Sequence, residues 1–560
     1  MAPPAPRPPL GVVHGYGLAG AGSNLWTRAV LRALAHGGHT VHAVCQESRP
    51  ERYDFVSRAV AYDAEGAPRV LFERETAYPG AVTVHRPDLD VLPTFVRPST
   101  PSDYVVYIPD LDDDAVEGYL ARNGRVLAAV AREHGVAGWV VNHTVLMAAA
   151  AQRARQSGGA PYAVLPHGSA IEYVVKKEER SRRLAEHALA DAARVFALNG
   201  EMEGRIRDVF GDVPGVEAKM ARMPVGTDTS VFELVDRADR AATVERIAAV
   251  VDGAERGRPA DQTERLHGRL AALPDDPEDA DVLAALQADY PRSAPDADLE
   301  QKLRAVDWDA ARTVVYVGRL IAAKGPADLV LAFPAVAARH PDAVLLVAGT
   351  GGLREGLEAL VWALSRGRAG LVRQLVRLGG ALEGGGGLDA DPFFGGQGFL
   401  GGMDDAAFEA YVETARQSLA GDPGAPGSVV FTGFLDHDAL GPLYGLADAG
   451  AFPSVVREAS PLVVPESAAA GVLPVGPDVG GMGDSLRTLA RGLPPEARPL
   501  LLARPDAEHR VADLADRLGR ALDQPREYAA DLRREAEARF DWRAIADRLA
   551  GELAAMDSAP

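Results

Sequence analysis

Short apolar runs separated by amphipathic stretches account for most of this chain. Residues 10–13 read as a strand, a glycine-rich turn follows, and a helix over 24–36 leads to a second strand at 40–44, the opening of a βαβ unit. The alternation continues with apolar runs at 81–84, 104–108 and 138–142, a helix over 115–134, and strands at 162–165 and 195–198. A helix is also expected over 175–192. Alternation of this kind predicts a parallel sheet covered by helices. A second such region opens at TVVYVGRLIAAKGPADLVLAF, with a strand ending at Val317 and a helix from Pro326, and continues through strands at 343–348 and 429–432.

The densest candidate chemistry lies in ADAGAFPSVVREASPLVVPESAAAGVLPVGPDVGGMGD, residues 447–484, which reads as strand, loop, helix, strand, loop. The apolar run 450–452 stops at Pro453, and a helix is expected from Pro461 to about Ala470 with Ser460 as its N-cap. Pro465 either forfeits one early hydrogen bond or moves the helix start onward. The N–H groups of Leu462 and Val463 are then free, and with no capping-box carboxylate after Ser460 the positive helix end suits a phosphate. Glu458 and Glu466 flank that end in an E-x7-E spacing. Carboxylates accept hydrogen bonds from paired hydroxyls, so one can hold a sugar and the other a ribose with phosphates between them. Spacing alone is common in surface helices. Glu466, however, stands in an apolar run where a carboxylate needs a partner.

Three other places carry candidate chemistry. After Val317, Arg319 and Lys324 occupy a strand-to-helix loop and suit a diphosphate. His167 follows directly on the 162–165 strand, at the carboxyl end where open α/β sheets bind ligands; a lone histidine there is otherwise structural. The first turn, HGYGLAGAGSNLW, holds Gly15, Gly17, Gly20 and Gly22, with Ser23 or Asn24 as a helix cap. It is either a tight turn or a place where a ligand approaches the backbone, and Glu47 is the nearest acidic residue to the end of the second strand. The acidic run Asp112–Asp114 reads as a helix start. The cations Lys176, Lys177, Arg180, Arg182 and Arg183 are interrupted by glutamates and read as a solvated face.

The E-x7-E segment resembles that of the retaining family 4 glycosyltransferases (glycosyl transferases group 1), with Ala459, Ser460 and Pro461 where the family commonly has Gly-Phe-Gly. The G-R-x4-K-G run at 318–325 resembles the family's phosphate-binding loop. His167-Gly168 is similar to a family His-Gly near the transferred sugar, and MPVGTDTSVF at 223–232 is similar to its hinge, where Asp228 is a candidate backbone cap. The resemblance implies an α/β chain of GT-B fold: two Rossmann-like parallel-sheet domains facing across a cleft, with the C-terminal helix crossing back to the first domain. It implies transfer of a hexose from a nucleotide diphosphate sugar to a hydroxyl acceptor with retention of configuration. Arg319 and Lys324 would bind the diphosphate, aided by Leu462, Val463, Gly20 and Gly22. Glu466 would hold the ribose, Glu458 the donor sugar, and His167 the reacting face; Glu458 and His167 are the catalytic candidates.

The expected organisation is an acceptor domain over 1–232, an acidic helical insertion over 233–305, a nucleotide-sugar domain over 306–505 with an insertion at about 367–426, and C-terminal helices over 506–560. The insertion at 367–426 contains GGALEGGGG and FFGGQGFLGG, with Phe393, Phe394 and Phe399, and reads as a lid, an acceptor contact or a surface loop. The chain of 560 residues has a formal net charge of -20, which argues against nucleic acid or anionic lipid as the main partner. Cys45 is the one cysteine, so no intramolecular disulfide or thiolate cluster forms, as suits the cytoplasm. No signal peptide or membrane span is expected. No cofactor and no metal are expected beyond the donor itself, with a UDP-sugar slightly favoured, and the acceptor is a sugar, lipid or small molecule. The alternatives are a GT-B epimerase or hydrolase and a non-catalytic nucleotide-sugar-binding partner protein.

Overall fold

The computed structural model describes residues 7–20, 22–98, 102–383, 395–419 and 428–557. The chain divides into two units, one of the described residues up to Gly226 together with those from Arg539, the other Thr227–Ala538. Each unit is built on its own parallel sheet, the fold class expected from the sequence.

In the first unit, β1 (Leu10–Val13), β2 (Thr40–Val44), β3 (Val56–Tyr62), β4 (Pro68–Glu73) and β5 (Ala81–Pro87) precede a small sheet of β6 (Leu92–Thr94) and β7 (Val105–Tyr107). Then come β8 (Trp139–Asn142), β9 (Tyr162–Leu165), β10 (Arg194–Ala197) and β11 (Met220–Arg222). The main sheet runs β11-β10-β9-β8-β1-β2-β5-β3-β4. Only β3 and β4 pair antiparallel, at the edge. The four residues of β1, all apolar or glycine, are buried on both faces, as a central parallel strand requires. The residues at 104–108 therefore join β6 rather than the main sheet.

Helix α1 (Gly22–His36) buries Trp26, Val30, Leu31 and Leu34. It begins earlier than expected. Ser23 and Asn24 lie inside it rather than capping it, and the Asn24 Nδ2 instead donates to the carbonyls of Gly17 and Ala19 at 2.8 and 3.0 Å. Helix α2 (Asp113–His134) starts as its acidic run predicts, with Asp112 accepting from the Ala115 N–H at 2.7 Å. The helix expected over 175–192 starts at Glu179, because the Glu178 carboxylate caps Ser181 N–H, and Ile171–Val175 forms a π-helical turn before it. Four cations of this stretch are paired: Lys176 with Glu172, Arg180 with Glu178, Arg182 with Glu186 and Arg183 with Glu179. The last helix, Trp542–Asp557, returns to this unit, where Ile545, Leu549 and Leu553 share a core with Leu10, Val12 and Trp26.

In the second unit, β12 (Arg312–Val317), β13 (Ala343–Ala348), β14 (Val429–Gly433), β15 (Ala449–Ala451), β16 (Leu473–Pro477) and β17 (Leu502–Ala503) form a sheet in the order β14-β13-β12-β15-β16-β17, parallel throughout. The residues 233–305 form helices whose Val244, Ile247, Leu266, Leu270, Leu299 and Leu303 lie in this unit's main core. They also supply charge to the interior. Arg258 pairs with Glu355 at 2.8 Å and with Glu358, Arg354 with Glu358 at 2.8 Å and Asp296 at 2.6 Å, and Lys302 with Asp296 at 2.9 Å. Each ion is thereby matched, which a buried charge requires. Within 367–426, Phe399 sits on a helix, Gly395–Gly401, edge-on to Tyr411 at 5.4 Å, so its part of the segment is packed rather than loose. Phe393, Phe394 and the glycines beyond Glu383 in GGALEGGGG lie outside the described residues.

Candidate functional site

The order of the second sheet reverses between β12 and β15, and the crevice beyond the carboxyl ends of such strands is where open α/β sheets bind ligands. Arg319 and Lys324 follow β12; Glu458 follows β15. The chain holds these two loops together closely. Val455 N–H donates to the Ala323 carbonyl at 3.1 Å, and Ser454 Oγ donates to the same carbonyl at 3.2 Å. Gly325 has φ of +65°, and a Cβ there would stand 2.0 Å from the Pro453 carbonyl oxygen. Only glycine satisfies both conditions. Gly325→Ala is therefore expected to cost about 1–3 kcal/mol of stability from backbone strain alone, and the clash must also part the two loops; denaturant unfolding checks the first effect and nucleotide-sugar affinity the second.

Lys324 Nζ forms an ion pair with Glu458, both groups partly accessible. Arg319 is exposed, and no hydrogen bond or ion pair of its guanidinium is found among the described residues. Glu458 is fixed from behind, where the Gly481 N–H donates to its backbone carbonyl at 2.7 Å. A Cβ on Gly481 would come 2.2 Å from the Ala459 carbonyl oxygen.

Glu466 is 4% exposed and does have the partners its apolar setting demands. The buried Tyr444 hydroxyl donates to it at 3.3 Å, and His437 Nε2 lies 3.5 Å from its other oxygen. That carboxylate raises the pKa of His437. The helix carrying Glu466 is Val463–Ala469, two residues shorter at its start than expected. Ser460 is therefore not its N-cap: Leu462 holds that position, with no capping side chain. Pro465 explains the shift. It falls within the first turn, where no intrahelical N–H partner exists to be lost. Leu462 and Val463 do stand at the helix start, on a helix of only 7 residues.

In the first unit, β9, β8 and β1 are neighbours, and each is followed at its carboxyl end by a histidine: His167, His143 and His14. Only His167 was singled out from the sequence. Asn142 Nδ2 donates to the Val13 carbonyl at 3.1 Å and to Thr27 Oγ1 at 3.3 Å, which turns its Oδ1 towards His167 Nε2 at 2.9 Å. His167 Nε2 is then the protonated nitrogen and Nδ1 keeps a lone pair. The rings of His143 and His167 are 4.6 Å apart, Phe95 and His143 4.4 Å, and Tyr16 donates its hydroxyl to the Pro93 carbonyl at 2.8 Å. His143 and Leu146 have φ of 71° and 57°, strained values that the packing of this corner enforces. The glycine turn reaches the same corner, since Ser23 Oγ is 3.2 Å from His143 Nε2. Gly20 has φ of 125°, and nothing lies within 4 Å of a Cβ at Gly22. Glu47 is a brace for this turn, accepting from Leu18 N–H at 2.8 Å and Arg49 N–H at 2.9 Å.

Burial lowers the pKa of His14 to about 4 and of His167 to about 3, and holds His143 well below its ordinary value. All three are neutral at pH 7. The unfolded chain protonates them near 6.5, the native unit only well below, so stability falls as pH drops from about 6.5 towards 4, by about 1.4 kcal/mol per pH unit for each such histidine. Thermal melts between pH 7.5 and 4.5 check this, and a melting temperature that does not fall with pH contradicts it.

The two glutamates of the second unit thus stand on one strand-loop-helix segment, with Lys324 paired to Glu458. Residues 402–524 match the family model described as "Glycosyl transferases group 1". The matched segment includes Glu458, Glu466, His437 and Tyr444, while Arg319 and Lys324 precede it. No curated protein sequence matches the chain. Similar solved structures include sucrose-phosphate synthase from Thermosynechococcus elongatus, 19% identical with 98% of each chain covered and a TM-score of 0.47. Others are HepE of Anabaena in complex with UDP, 12% identical over 98% of this chain and 100% of that one with a TM-score of 0.49, and a glycosyltransferase from Rickettsia africae, 12% identical over 99% and 100% with a TM-score of 0.48.

Tyr444, His437, Asn142, His143 and His14 were not expected at these sites. Three of them had a local signal: His14 ends the first apolar run, and the Asn142–His143 pair ends the run before it in the sheet. Tyr444 and His437 had none, since their relation to Glu466 depends on how two helices pack.

Proposed function

We propose that the protein is a glycosyltransferase that moves a hexose from a nucleotide diphosphate sugar to a hydroxyl acceptor with retention of configuration. The observation that carries this reading is the Lys324–Glu458 ion pair at the reversal point of one sheet, with Arg319 on the same loop as Lys324, and Glu458 and Glu466 both inside the segment that matches a glycosyl transferase family model. Arg319 and Lys324 would bind the diphosphate and stabilise the charge it gains as the sugar departs. Binding would draw the Lys324 ammonium from Glu458 to phosphate and leave the Glu458 carboxylate to accept from donor sugar hydroxyls. Glu466, already oriented by Tyr444 and His437, would accept from the ribose hydroxyls. His167 would offer its Nδ1 lone pair to a substrate hydroxyl, and its low pKa keeps it an acceptor at neutral pH.

A UDP-sugar is the donor to try first, with sugars, lipids and small hydroxyl compounds as acceptors. No described helix is long and apolar enough to cross a membrane; a cytoplasmic location is part of the proposal, in keeping with the single buried Cys45. The test is release of nucleotide diphosphate from a donor with and without candidate acceptors, with the product's anomeric configuration read by NMR. Acceptor-dependent release with retention supports the proposal. Release with free sugar and no acceptor assigns hydrolysis or epimerisation instead, and binding without turnover assigns a sensor.

A further inference from the structure

Away from both sets of residues above, His42, His85 and His134 meet in the first unit, and one ring nitrogen from each lies within 4.8 Å of the other two. We propose that these three imidazoles form a binding site for a divalent transition-metal ion of the zinc class. The inference is independent of the sugar-nucleotide reading.

The fold brings them together from three elements. His42 on β2 and His85 on β5 are on neighbouring parallel strands, two positions apart in register, since His42 is opposite Thr83 and Val44 opposite His85. With their side chains on the same face, His42 Nδ1 and His85 Nε2 lie 2.9 Å apart. His134 comes from the last turn of α2, and its ring stacks on that of His42 with centroids 4.3 Å apart. His42 and His85 are 4% and 1% exposed, while the His134 side chain is 26% exposed and leaves a path for an ion from solvent.

The outer partner of His85 favours ligation. Tyr62 Oη is 2.8 Å from His85 Nδ1. A ligating histidine characteristically donates its other N–H to an oxygen that fixes its tautomer and ring orientation. With Nδ1–H donated to Tyr62, the His85 Nε2 lone pair faces His42 and His134. An all-nitrogen donor set selects zinc, cobalt, nickel or copper over calcium and magnesium. Zinc–nitrogen bonds of about 2.0–2.1 Å in a tetrahedral site place donor atoms about 3.3 Å apart, so the His42–His85 pair need open by only a few tenths of an ångström. Three charges stand near. Arg58 lies beside the cluster with Glu73 3.7 Å from its guanidinium, and the exposed Glu133 carboxylate, 3.9 Å from His134 Nε2, would offset part of an ion's charge. A bound ion would tie β2, β5 and the end of α2 together.

The test uses the untagged full chain, stripped with chelator and titrated with zinc by calorimetry and with cobalt by visible absorption. The expected result is one equivalent of zinc bound and a tetrahedral cobalt spectrum. Zinc at a hundredfold its dissociation constant should raise the melting temperature of the first unit by roughly 5–10 °C. His134→Ala, at a partly exposed position in the last turn of α2, should lower affinity at least a hundredfold, and Tyr62→Phe by about 10–100-fold. No stoichiometric binding by the wild-type chain overturns the proposal and leaves a hydrogen-bonded histidine cluster. Unchanged affinity in both variants also overturns it, because the ion would then be bound elsewhere on the chain.

Discussion

Lys324→Ala is expected to lower turnover of a nucleotide sugar by about a hundredfold to a thousandfold, the range seen when one preorganised donor to a developing negative charge is removed. The substitution acts twice. It deletes an ammonium that would meet the departing diphosphate, and it leaves Glu458 without the cation that now faces it. A carboxylate without that cation repels the anionic donor, so affinity should fall along with kcat. Lys324→Arg should restore part of the loss, because it returns the charge but not the compact geometry of an ammonium. Steady-state kinetics of both variants separate these effects. A fall of less than about threefold for Lys324→Ala would remove the lysine from the reaction.

Arg354→Met is expected to destabilise the second unit by about 3–5 kcal/mol, the cost of breaking a buried ion pair by removing one partner. Arg354 is 4% exposed and lies between Asp296 and Glu358, with the Phe431 ring 4.2 Å from its guanidinium carbon. Burial penalises its charge while Glu358 and Asp296 favour it, and its pKa ends above the ordinary arginine value. Without it the two carboxylates stay buried with less than their complement of positive charge. Denaturant unfolding should show the midpoint falling at an unchanged slope, whereas Arg416→Met, which breaks an exposed pair with Glu413, should leave the midpoint almost where it was. Equal effects of the two substitutions would show that the network does not hold the core together.

What could be read from the chain follows a physical division between local and distant determinants. Strands β1, β2, β9 and β13, the start of α2 and the loops bearing Arg319, Lys324 and Glu458 are each specified within about ten residues, by an apolar run and the turn or cap that ends it. The start of the Glu466 helix was misplaced because Ser460 is a cap only if the backbone turns there, and the sequence carries no direct record of that dihedral. The expectation that 233–305 forms an insertion rested on its acidic, proline-broken composition, which conceals Arg258, a residue that is 2% exposed and whose partners Glu355 and Glu358 are about a hundred positions away. His167 was legible from its strand, but Asn142, which fixes its tautomer, is 25 positions earlier and meets it only through strand pairing. The partners of Glu466 belong to the same class: the need for them was evident from its apolar surroundings, and their identity was set by packing.

The measurement closest to the central claim is thermal stabilisation of the purified chain by UDP-, GDP- and ADP-sugars, repeated with Arg319→Ala and Glu466→Ala. A ligand that binds only the folded state raises its melting temperature in proportion to the logarithm of its concentration over the dissociation constant. The account predicts a shift with one nucleotide class in the wild-type chain that is lost in both variants, each of which melts as a folded protein when no ligand is present. A wild-type chain that is stabilised by none of these donors, or variants that respond as the wild type does, would contradict the assignment of this site to a nucleotide sugar.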